Sequence, residues 1–163
     1  NIGALIVIER AVDIHHDIHS SVQMDCLASA EVIESVFFPN SPLHDGGVII
    51  NGKRITLAAC IFPLTSRQEI RKTLGTRHRA AIGITEDSDA VVIIVSEETG
   101  SISYCHEGTL HRDVSLDKLS VFLESTLVEP EKKPEGTIGQ WIGRFKASLQ
   151  ELPGRINTKL DES

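Results

Sequence analysis

The sequence predicts an α/β or α+β fold in which helices flank a mixed central β-sheet. Two apolar runs rich in β-branched residues, Ala4–Glu9 and Ala90–Ser96, are typical of strands buried on both faces. An Asn51-Gly52 pair between two further apolar runs is a strong β-hairpin signal. Segments with helical spacing of apolar residues lie between these strands, so helices and strands interleave along the chain.

The composition fits one folded domain with an appendage. The chain has 163 residues, of which 40% are hydrophobic and 24% are charged, so it can bury a core and does not resemble a disordered chain. A formal net charge of −7 disfavours non-specific binding to long nucleic acids, which requires clustered Lys and Arg. A small phosphate ligand requires only a local cationic pocket. The three cysteines form no CxxC pair, which favours buried thiols in a reducing cytosol over disulfides or zinc.

The first half of the chain is predicted to contain a loop, a helix and the hairpin. The polar stretch Asp13–Asp25 holds three histidines and is expected to be a loop with solvated histidines rather than a metal site. Apolar residues at helical spacing predict a helix over Leu27–Phe38, which Pro39 ends. The expected hairpin strands are Gly47–Ile50 and Arg54–Phe62.

The second half is predicted to be mainly helical, with one more hairpin. Ser66–Leu74 and Arg77–Thr85 are expected to be helices, although Gly83 weakens the second. The strand Ala90–Ser96 is followed by a turn and by a partner strand, Ser101–His106. A third helix is expected to start at an N-cap Ser115 and to end near Leu127.

The last part of the chain is expected to be an appendage to a domain of residues 1–127. Residues 128–136 are rich in proline and charge, which is typical of a linker. Residues 137–163 carry apolar side chains at three- and four-residue spacing and predict an amphipathic helix. Docking on the domain or on a second copy is the first interpretation of this helix, and binding to a membrane surface or a partner is the second.

The segment Ser41–Gly47 places a carboxylate where a predicted strand begins. Asp45 in that position can hold a metal ion or draw a proton from a hydroxyl group. Gly46 and Gly47 beside it allow a ligand to approach the backbone closely. The alternative is an ordinary turn in which the aspartate caps and the glycines bend the chain.

The segment that opens the helix Arg77–Thr85 is cationic. Arg77 and Arg79 suit bidentate contacts with phosphate, and His78 lies between them. Gly75 and Thr76 precede them at the helix start, where free N–H groups favour an anion. The alternative is a solvated basic face.

The segment Ser96–Gly100 ends the second buried strand, a place where ligands often bind. Ser96 can donate a hydrogen bond to phosphate, and Glu98 can help to hold a divalent cation. The alternative is a hairpin turn with solvated acids. Together the three segments suit phosphoryl or nucleotidyl transfer assisted by a metal ion.

In this order, the three segments resemble the diadenylate cyclase (DAC, DisA_N) domain family. The resemblance covers about residues 1–127, and the opening Gly3–Arg10 is similar to the membrane-anchored bacterial subgroup. The family hallmark is Asp-Gly-Ala followed by Arg-His-Arg. This chain has Gly47 where the family usually has alanine.

The resemblance implies that two ATP molecules are joined into cyclic di-AMP, a bacterial second messenger. Two domains face each other as a homodimer, and each holds one ATP. The 3′-hydroxyl of each ATP attacks the α-phosphorus of the other, and pyrophosphate leaves. The implied metal is Mg²⁺ or Mn²⁺, with Co²⁺ as a third candidate. A monomer is expected to be inactive.

The resemblance also implies roles for individual residues. The residues expected to act in catalysis are Asp45, Arg77, His78 and Arg79. The expected metal ligands are His44, Asp45 and Glu98. The residues expected to bind the nucleotide are Gly46, Gly47, Ile61, Phe62, Gly75, Thr76, Ser96 and Glu98. Within the last set, Ile61 and Phe62 match positions that line the adenine pocket in relatives.

The resemblance further implies a cytoplasmic domain of a protein that upstream helices anchor to the cell membrane, with a regulatory protein as a further partner. The chain opens on Asn1 and enters a predicted strand at once, so it is expected to be a piece of a longer protein.

Two other functions stay open. The chain can be a nucleotide-binding module without catalysis, or a metal-dependent nucleotide hydrolase that produces ADP or AMP.

Overall fold

The computed structural model describes residues 1–67, 70 and 74–128. Most of the helix predicted over Ser66–Leu74 lies outside these residues, as do the predicted linker beyond Val128 and the predicted helix 137–163. The chain divides into one unit of Asn1–Phe122 and a second unit of Leu123–Ser163, of which residues 123–128 are described.

In the part of the chain that the structure describes, seven strands form one mixed sheet in the spatial order β2-β4-β3-β1-β5-β6-β7. In chain order the strands are β1 Ala4–Glu9, β2 Ser20–Leu27, β3 Gly47–Asn51, β4 Arg54–Ile61, β5 Val91–Val95, β6 Ile102–His106 and β7 Thr109–His111. β1 pairs with β3 in parallel, and the other neighbouring pairs are antiparallel. The mixed central sheet predicted from the sequence is confirmed.

Within the described residues, three α-helices accompany the sheet: α1 Ala30–Phe37, α2 Thr76–Glu86 and α3 Leu116–Leu127. The hydroxyl of Ser29 caps α1 by accepting a hydrogen bond from the Val32 N–H at 3.3 Å. The predicted cap of α3 is confirmed, because the Ser115 hydroxyl accepts from the Lys118 N–H at 3.3 Å. Among the described residues, no helix combines the length and the apolar character that crossing a bilayer requires.

Two strands were not predicted. Ser20–Leu27 lies in the expected loop Asp13–Asp25 and at the start of the expected helix Leu27–Phe38, yet it forms the edge strand β2. Met24 and Cys26 of this strand are half-buried, and two irregularities interrupt its pairing with β4. Before this strand, the loop contains a short 3-10 turn at His15–Asp17. The second strand that was not predicted is β7.

The sheet separates two apolar clusters, because successive side chains of a strand point to opposite faces. One cluster joins β1, β3 and β5 to α2 and contains Val7, Ile49, Val92 and Ala81. The other cluster joins the same sheet to α1 through Val36 and Phe37, which pack with Val48. Each fully buried aliphatic side chain of this kind contributes about 1.5–3 kcal/mol to folding.

The cysteines are free thiols, as expected. Cys60 and Cys105 are buried, whereas Cys26 is half-buried. Burial raises the pKa of the Cys60 thiol to about 12 and also raises the pKa of Cys105. Both buried thiols therefore stay protonated at neutral pH and serve as core residues.

The predicted hairpin is confirmed with its loop shifted by one residue. Asn51 pairs with Arg54, so the loop consists of Gly52 and Lys53. Gly52 has φ +58, which suits the first loop residue of a two-residue hairpin turn. We call this end of the sheet the hairpin end. The opposite end, where β3 begins at Gly47 and β5 ends at Val95, is called the cavity end.

Candidate active site

The cavity end carries a cavity of about 320 Å³ that we call the inner cavity. It is lined by residues of the loop 41–46, which we call the acidic loop, by the end of β4 and by the first turns of α2. The lining residues are Leu5, His44, Asp45, Gly46, Cys60, Ile61, Phe62, Leu64, Thr76, Arg77, Ala80 and Glu97. Asp45 and Arg77, which lie far apart in the sequence, therefore share one cavity. Four of the predicted nucleotide-binding residues line it as well: Gly46, Ile61, Phe62 and Thr76.

A larger cavity of about 690 Å³, the outer cavity, adjoins the inner one. The two share the residues Thr76, Arg77 and Glu97. The outer cavity is mainly polar and is lined by Leu74, Gly75, Thr76, Arg77, His78, Ile94, Val95, Ser96, Glu97, Glu98, Thr99, Ser101, Arg112 and Asp113. All three polar segments found in the sequence thus meet at this end of the sheet.

The acidic loop is shaped by local hydrogen bonds to Ser41. Its hydroxyl accepts from the Leu43 N–H at 3.3 Å, and its carbonyl accepts from the His44 N–H at 3.2 Å. The same carbonyl accepts from Nδ1 of the His44 ring. Because a carbonyl can only accept, the neutral His44 ring carries its proton on Nδ1 and leaves Nε2 free to bind a metal ion or a proton.

Gly46 fixes the position of Asp45. Its φ is +113, and a Cβ built there would lie 2.7 Å from the Cys60 carbonyl oxygen, so only glycine fits. Gly47 is buried beside β1, and a Cβ there would lie 3.0 Å from the Leu5 carbonyl oxygen. The close approach of this loop to β4 holds Asp45 at the mouth of the inner cavity.

The N-terminus of α2 faces both cavities. Gly75 occupies the N-cap position, and no side chain of the described residues caps the helix. The first N–H groups of the helix are therefore open to an anion, and the helix dipole favours negative charge there. This start of α2 is one residue earlier than the predicted Arg77.

Arg77 lies between the two cavities in an ion pair with Glu97, with its Nη1 at 2.8 Å from the Glu97 carboxylate. Among the described residues, its buried Nε has no hydrogen-bond partner. A Cβ built on Gly3 would lie 2.7 Å from Arg77 Nη1 and 2.9 Å from Glu97 Cβ. The lack of a side chain at Gly3 therefore makes room for the ion pair.

His78 lines the outer cavity beside Arg112 and Asp113. Its pKa is lowered, chiefly by burial and then by the positive charge of Arg112, while Asp113 acts in the opposite direction. The imidazole is therefore neutral at neutral pH. A neutral ring can donate one hydrogen bond and accept another, and it adds no charge to the cavity.

Ser96–Gly100 forms a hairpin turn and lines the outer cavity, so both interpretations of this segment are compatible with the structure. The Gly100 N–H donates to the Ser96 carbonyl at 2.8 Å, and the Ser96 hydroxyl accepts from the Thr99 N–H at 3.3 Å. The Glu98 carbonyl accepts from the Asn1 amide at 3.1 Å. Glu98 itself is exposed and lines the outer cavity.

Arg79 is not among the described residues that line either cavity. Its carbonyl accepts from the Thr65 N–H at 3.1 Å, which joins the segment after β4 to α2. Its Nε is buried, and no described residue bonds to it. A contact between Arg79 and phosphate therefore stays a prediction.

The predicted metal ligands are divided between the cavities, with His44 and Asp45 at the inner one and Glu98 at the outer one. Within the described chain, the trio of acidic and histidine side chains whose ligand atoms lie within 4.8 Å of one another is Glu9, Asp13 and His15. This trio lies at the hairpin end. The three histidines of that loop are exposed, as expected, although His15 also contacts Asp13 at 2.7 Å.

Sequence reasoning missed three residues at this site. Glu97 follows the predicted Ser96, and its pairing with Arg77 could be suspected only from its position at a strand end. Gly3 precedes β1 and gave no signal, since its role depends on an approach from α2. Arg112 follows a three-residue strand that was itself not predicted.

Comparison with known proteins identifies the family. The family described as DisA bacterial checkpoint controller nucleotide-binding (DAC) matches residues 1–110. The chain belongs to the DAC family. The matched residues include the acidic loop, the start of α2 and the Ser96–Gly100 turn of this DAC domain.

Similar proteins agree with this assignment. The DAC chain is 41% identical over 143 residues to cyclic di-AMP synthase CdaA of Bacillus subtilis. The aligned region covers 88% of this chain and 52% of CdaA. A double mutant of DacA from Staphylococcus aureus has a similar solved structure, with a TM-score of 0.74, 47% identity and coverage of 78% of this chain and 85% of that one. A hypothetical membrane spanning protein from Bacillus cereus gives a TM-score of 0.66 at 44% identity, covering 69% of this chain and 55% of that one. The chain spans about half the length of the curated relative.

Proposed function

We propose that this DAC domain is the catalytic domain of a diadenylate cyclase, which condenses two ATP molecules into cyclic di-AMP and releases two pyrophosphates. The observation that carries the proposal is that Asp45 and Arg77 share the inner cavity, which adjoins the outer cavity, in a chain of the DAC family. An acid near a sugar hydroxyl and a cation near phosphate are the two groups that nucleotidyl transfer requires.

The two cavities suit the two parts of ATP. Both volumes fall near the range of about 300–1,000 Å³ that small-molecule sites occupy. The inner cavity offers the apolar surfaces of Ile61 and Phe62 to the flat adenine base. The outer cavity offers the N-terminus of α2 and the Ser96 hydroxyl to the phosphates. Arg77, which lines both, is placed for the α-phosphate between them.

In the proposed reaction, the 3′-oxygen of one ATP forms a bond to the α-phosphorus of the other. The bond from that phosphorus to the bridging oxygen of the pyrophosphate breaks, and the pyrophosphate leaves with the electron pair. Asp45 draws the proton from the attacking hydroxyl. Each domain supplies one ATP, so two domains must face each other through their cavity ends, and we propose a homodimer as the active species.

The described side chains fit a divalent cation shared with the substrate. Mg²⁺ and Mn²⁺ prefer oxygen ligands and are often held by one or two carboxylates together with substrate phosphates. Asp45 and Glu98 offer such carboxylates, and the hydrogen bond from His44 Nδ1 to Ser41 frees Nε2 as a further ligand. The cation would neutralise phosphate charge.

We also propose that the domain acts on the cytoplasmic side of a membrane as part of a longer protein. Support comes from the similar Bacillus cereus structure, which is described as a hypothetical membrane spanning protein. Support also comes from the length of CdaA, of which this chain spans about half.

The test is incubation of the whole chain with ATP and Mn²⁺ over a range of protein concentrations, followed by chromatography of the nucleotides. We expect cyclic di-AMP, with a rate that rises more steeply than in proportion to protein concentration, because the site needs two copies. Binding of ATP without any product would favour the non-catalytic module. Formation of ADP or AMP instead would favour the hydrolase.

A further inference from the structure

Arg112 is a cationic residue of the outer cavity that none of the sequence motifs contains. Its guanidinium forms no hydrogen bond or ion pair with any residue that the structure describes, whereas Arg77 in the same cavity is paired with Glu97. A free guanidinium that lines a polar cavity can bind an anion without first giving up a protein partner.

The backbone after β7 holds Arg112 at the cavity end. Asp113 has φ +52, and its N–H donates to the Ser103 hydroxyl at 3.4 Å. The next N–H, of Val114, donates to the Ile102 carbonyl at 2.9 Å. Ile102 is the first residue of β6 and pairs with Val95 at the end of β5. These bonds tie the chain on the C-terminal side of Arg112 to the sheet.

The ion pairing in the outer cavity, rather than its formal charge of −1 (two guanidiniums against three carboxylates), favours a role for Arg112 with phosphate. Its lining contains three carboxylates, Glu97, Glu98 and Asp113, and two guanidiniums, Arg77 and Arg112. The Arg77 charge is offset by Glu97. The neutral His78 adds no charge, since burial and then Arg112 lower its pKa. Arg112 is therefore the arginine of this cavity that a polyanion can bind without breaking an ion pair to a described residue.

The two cavities also fix where along ATP this cation lies. Arg112 lines the outer cavity, whereas Asp45, Ile61 and Phe62 line the inner cavity. Arg77 lines both and so lies between these groups. A nucleotide with its base in the inner cavity therefore extends its phosphate chain past Arg77 towards Arg112.

We propose that Arg112 binds the β- and γ-phosphates of ATP, which become the pyrophosphate leaving group. The inference rests on the proposed function, because it takes ATP as the ligand of the two cavities. The planar guanidinium can contact two phosphate oxygens at once. It stabilises the negative charge that the pyrophosphate gains when it takes the electron pair of the broken bond.

The experiment compares Arg112→Gln with the unchanged chain by calorimetric binding of three probes: α,β-methylene ATP with Mn²⁺, inorganic pyrophosphate, and cyclic di-AMP. We expect affinity for the first two to fall about tenfold, as for loss of one charged hydrogen-bonded contact. Affinity for cyclic di-AMP, which contains no pyrophosphate, should stay unchanged. Arg112→Lys should restore part of the loss.

The matched control is Arg54→Gln. Arg54 is an exposed arginine at the hairpin end, paired with Asp25 at 2.7 Å, and its loss should change none of the three affinities. Unchanged binding of both pyrophosphate-containing probes in Arg112→Gln would overturn the proposal, and so would an equal loss for cyclic di-AMP. If the proposed cyclase function fails instead, the unchanged chain makes no cyclic di-AMP, and the pyrophosphate comparison still tests Arg112.

Discussion

At the hairpin end of the central sheet, several charged side chains pair with other groups of the protein, whereas several at the cavity end form no bond with any described residue. Glu9 is 8% exposed, and its carboxylate accepts from the Asn51 amide at 2.8 Å. Asp89 accepts from the backbone N–H groups of Ala11 at 3.1 Å and Val12 at 3.0 Å. The polar groups of this end therefore hold the loop after β1 in place.

At the cavity end the corresponding groups are left open. Asp45 forms no hydrogen bond with any described residue, and the buried Nε of Arg77 also lacks a partner among them. A buried polar group without a partner costs about 1–3 kcal/mol. A ligand that supplies the missing partners would offset this cost. We therefore expect the acids of the hairpin end to serve stability, and we propose that those of the cavity end serve binding and chemistry.

The largest expected effect comes from replacing Asp45 at the cavity end, with Asp89 at the hairpin end as the matched comparison. Asp45→Asn should lower the rate of cyclic di-AMP formation by about 10²–10⁴-fold, because a general base acts mainly in the transition state. Binding of ATP and the melting temperature should change little. The measurements are chromatography of the product, calorimetry with ATP and thermal unfolding.

Asp89→Asn is the matched variant at the hairpin end. Burial raises the pKa of Asp89, but the N–H groups of Val12 and Ala11 and the charge of Arg10 outweigh it, so that the pKa is lowered overall. A lowered carboxyl pKa stabilises the fold above the unfolded value and loses that effect as the pH falls. Asp89→Asn should therefore lower the melting temperature at pH 7 and leave turnover unchanged. Substantial loss of turnover in this variant would break the comparison.

A second prediction concerns Asn51. Asn51→Ala removes the amide that bonds to the buried Glu9 carboxylate and should destabilise the fold by about 1–3 kcal/mol. Turnover per folded molecule should not change. Lys53→Ala in the same turn is the control, because Lys53 is exposed. Equal midpoints of urea unfolding for the two variants would show that the Glu9–Asn51 bond contributes no stability.

The strands that the sequence predicts are those with simple patterns. β1 and β5 are buried on both faces and read as unbroken apolar runs, so their existence and bounds were predictable within about two residues. β2 is an exposed edge strand with two irregularities, and its pairing with β4 depends on the fold rather than on its own residues. The alternation of Val22, Met24 and Cys26 with Gln23 and Asp25 was the signal that the sequence analysis overlooked.

The same distinction applies to the site. Asp45 and Arg77 drew notice as polar residues beside apolar elements, and the resemblance to the DAC family assigned their roles. The roles of Gly3 and Glu97 depend on how closely the start of β1 approaches α2, which only the three-dimensional arrangement reveals. The loop shift at Asn51 has the same origin, since its amide is used by a residue of another strand.

A third prediction sharpens the comparison at the close approach beside Arg77. Gly3→Ala places a Cβ 2.7 Å from Arg77 Nη1, so the guanidinium must move. We expect about a tenfold weaker affinity for ATP, equal to about 1.4 kcal/mol, with little change in stability. Calorimetry with α,β-methylene ATP and thermal unfolding measure the two effects.

Gly52→Ala at the hairpin end should behave in the opposite way. The residue has φ +58 and no atom within 4 Å of a built Cβ, so alanine there costs about 1–2 kcal/mol of stability through the backbone alone. The affinity of the Gly52→Ala variant for ATP should stay unchanged. If Gly3→Ala binds ATP as tightly as the unchanged chain, the approach of Gly3 does not position Arg77.

The smallest expected effect is the pH dependence that His78 adds to stability. Burial, followed by the charge of Arg112, lowers the pKa of His78 in the folded protein, whereas the unfolded chain keeps a value near 6.5. Acidification therefore protonates the unfolded state first, and stability falls as the pH drops through 6.5 towards the folded value. His78→Asn should make the fall in melting temperature between about pH 7.5 and about pH 5.5 shallower.

His16→Asn, which alters an exposed histidine of the loop after β1, should leave the fall unchanged, because its ring is 69% exposed. The same slope in His78→Asn and the unchanged chain would show that the fold does not hold the His78 ring neutral at a cost to stability. In that case the cavity end would contribute no more to acid sensitivity than the hairpin end.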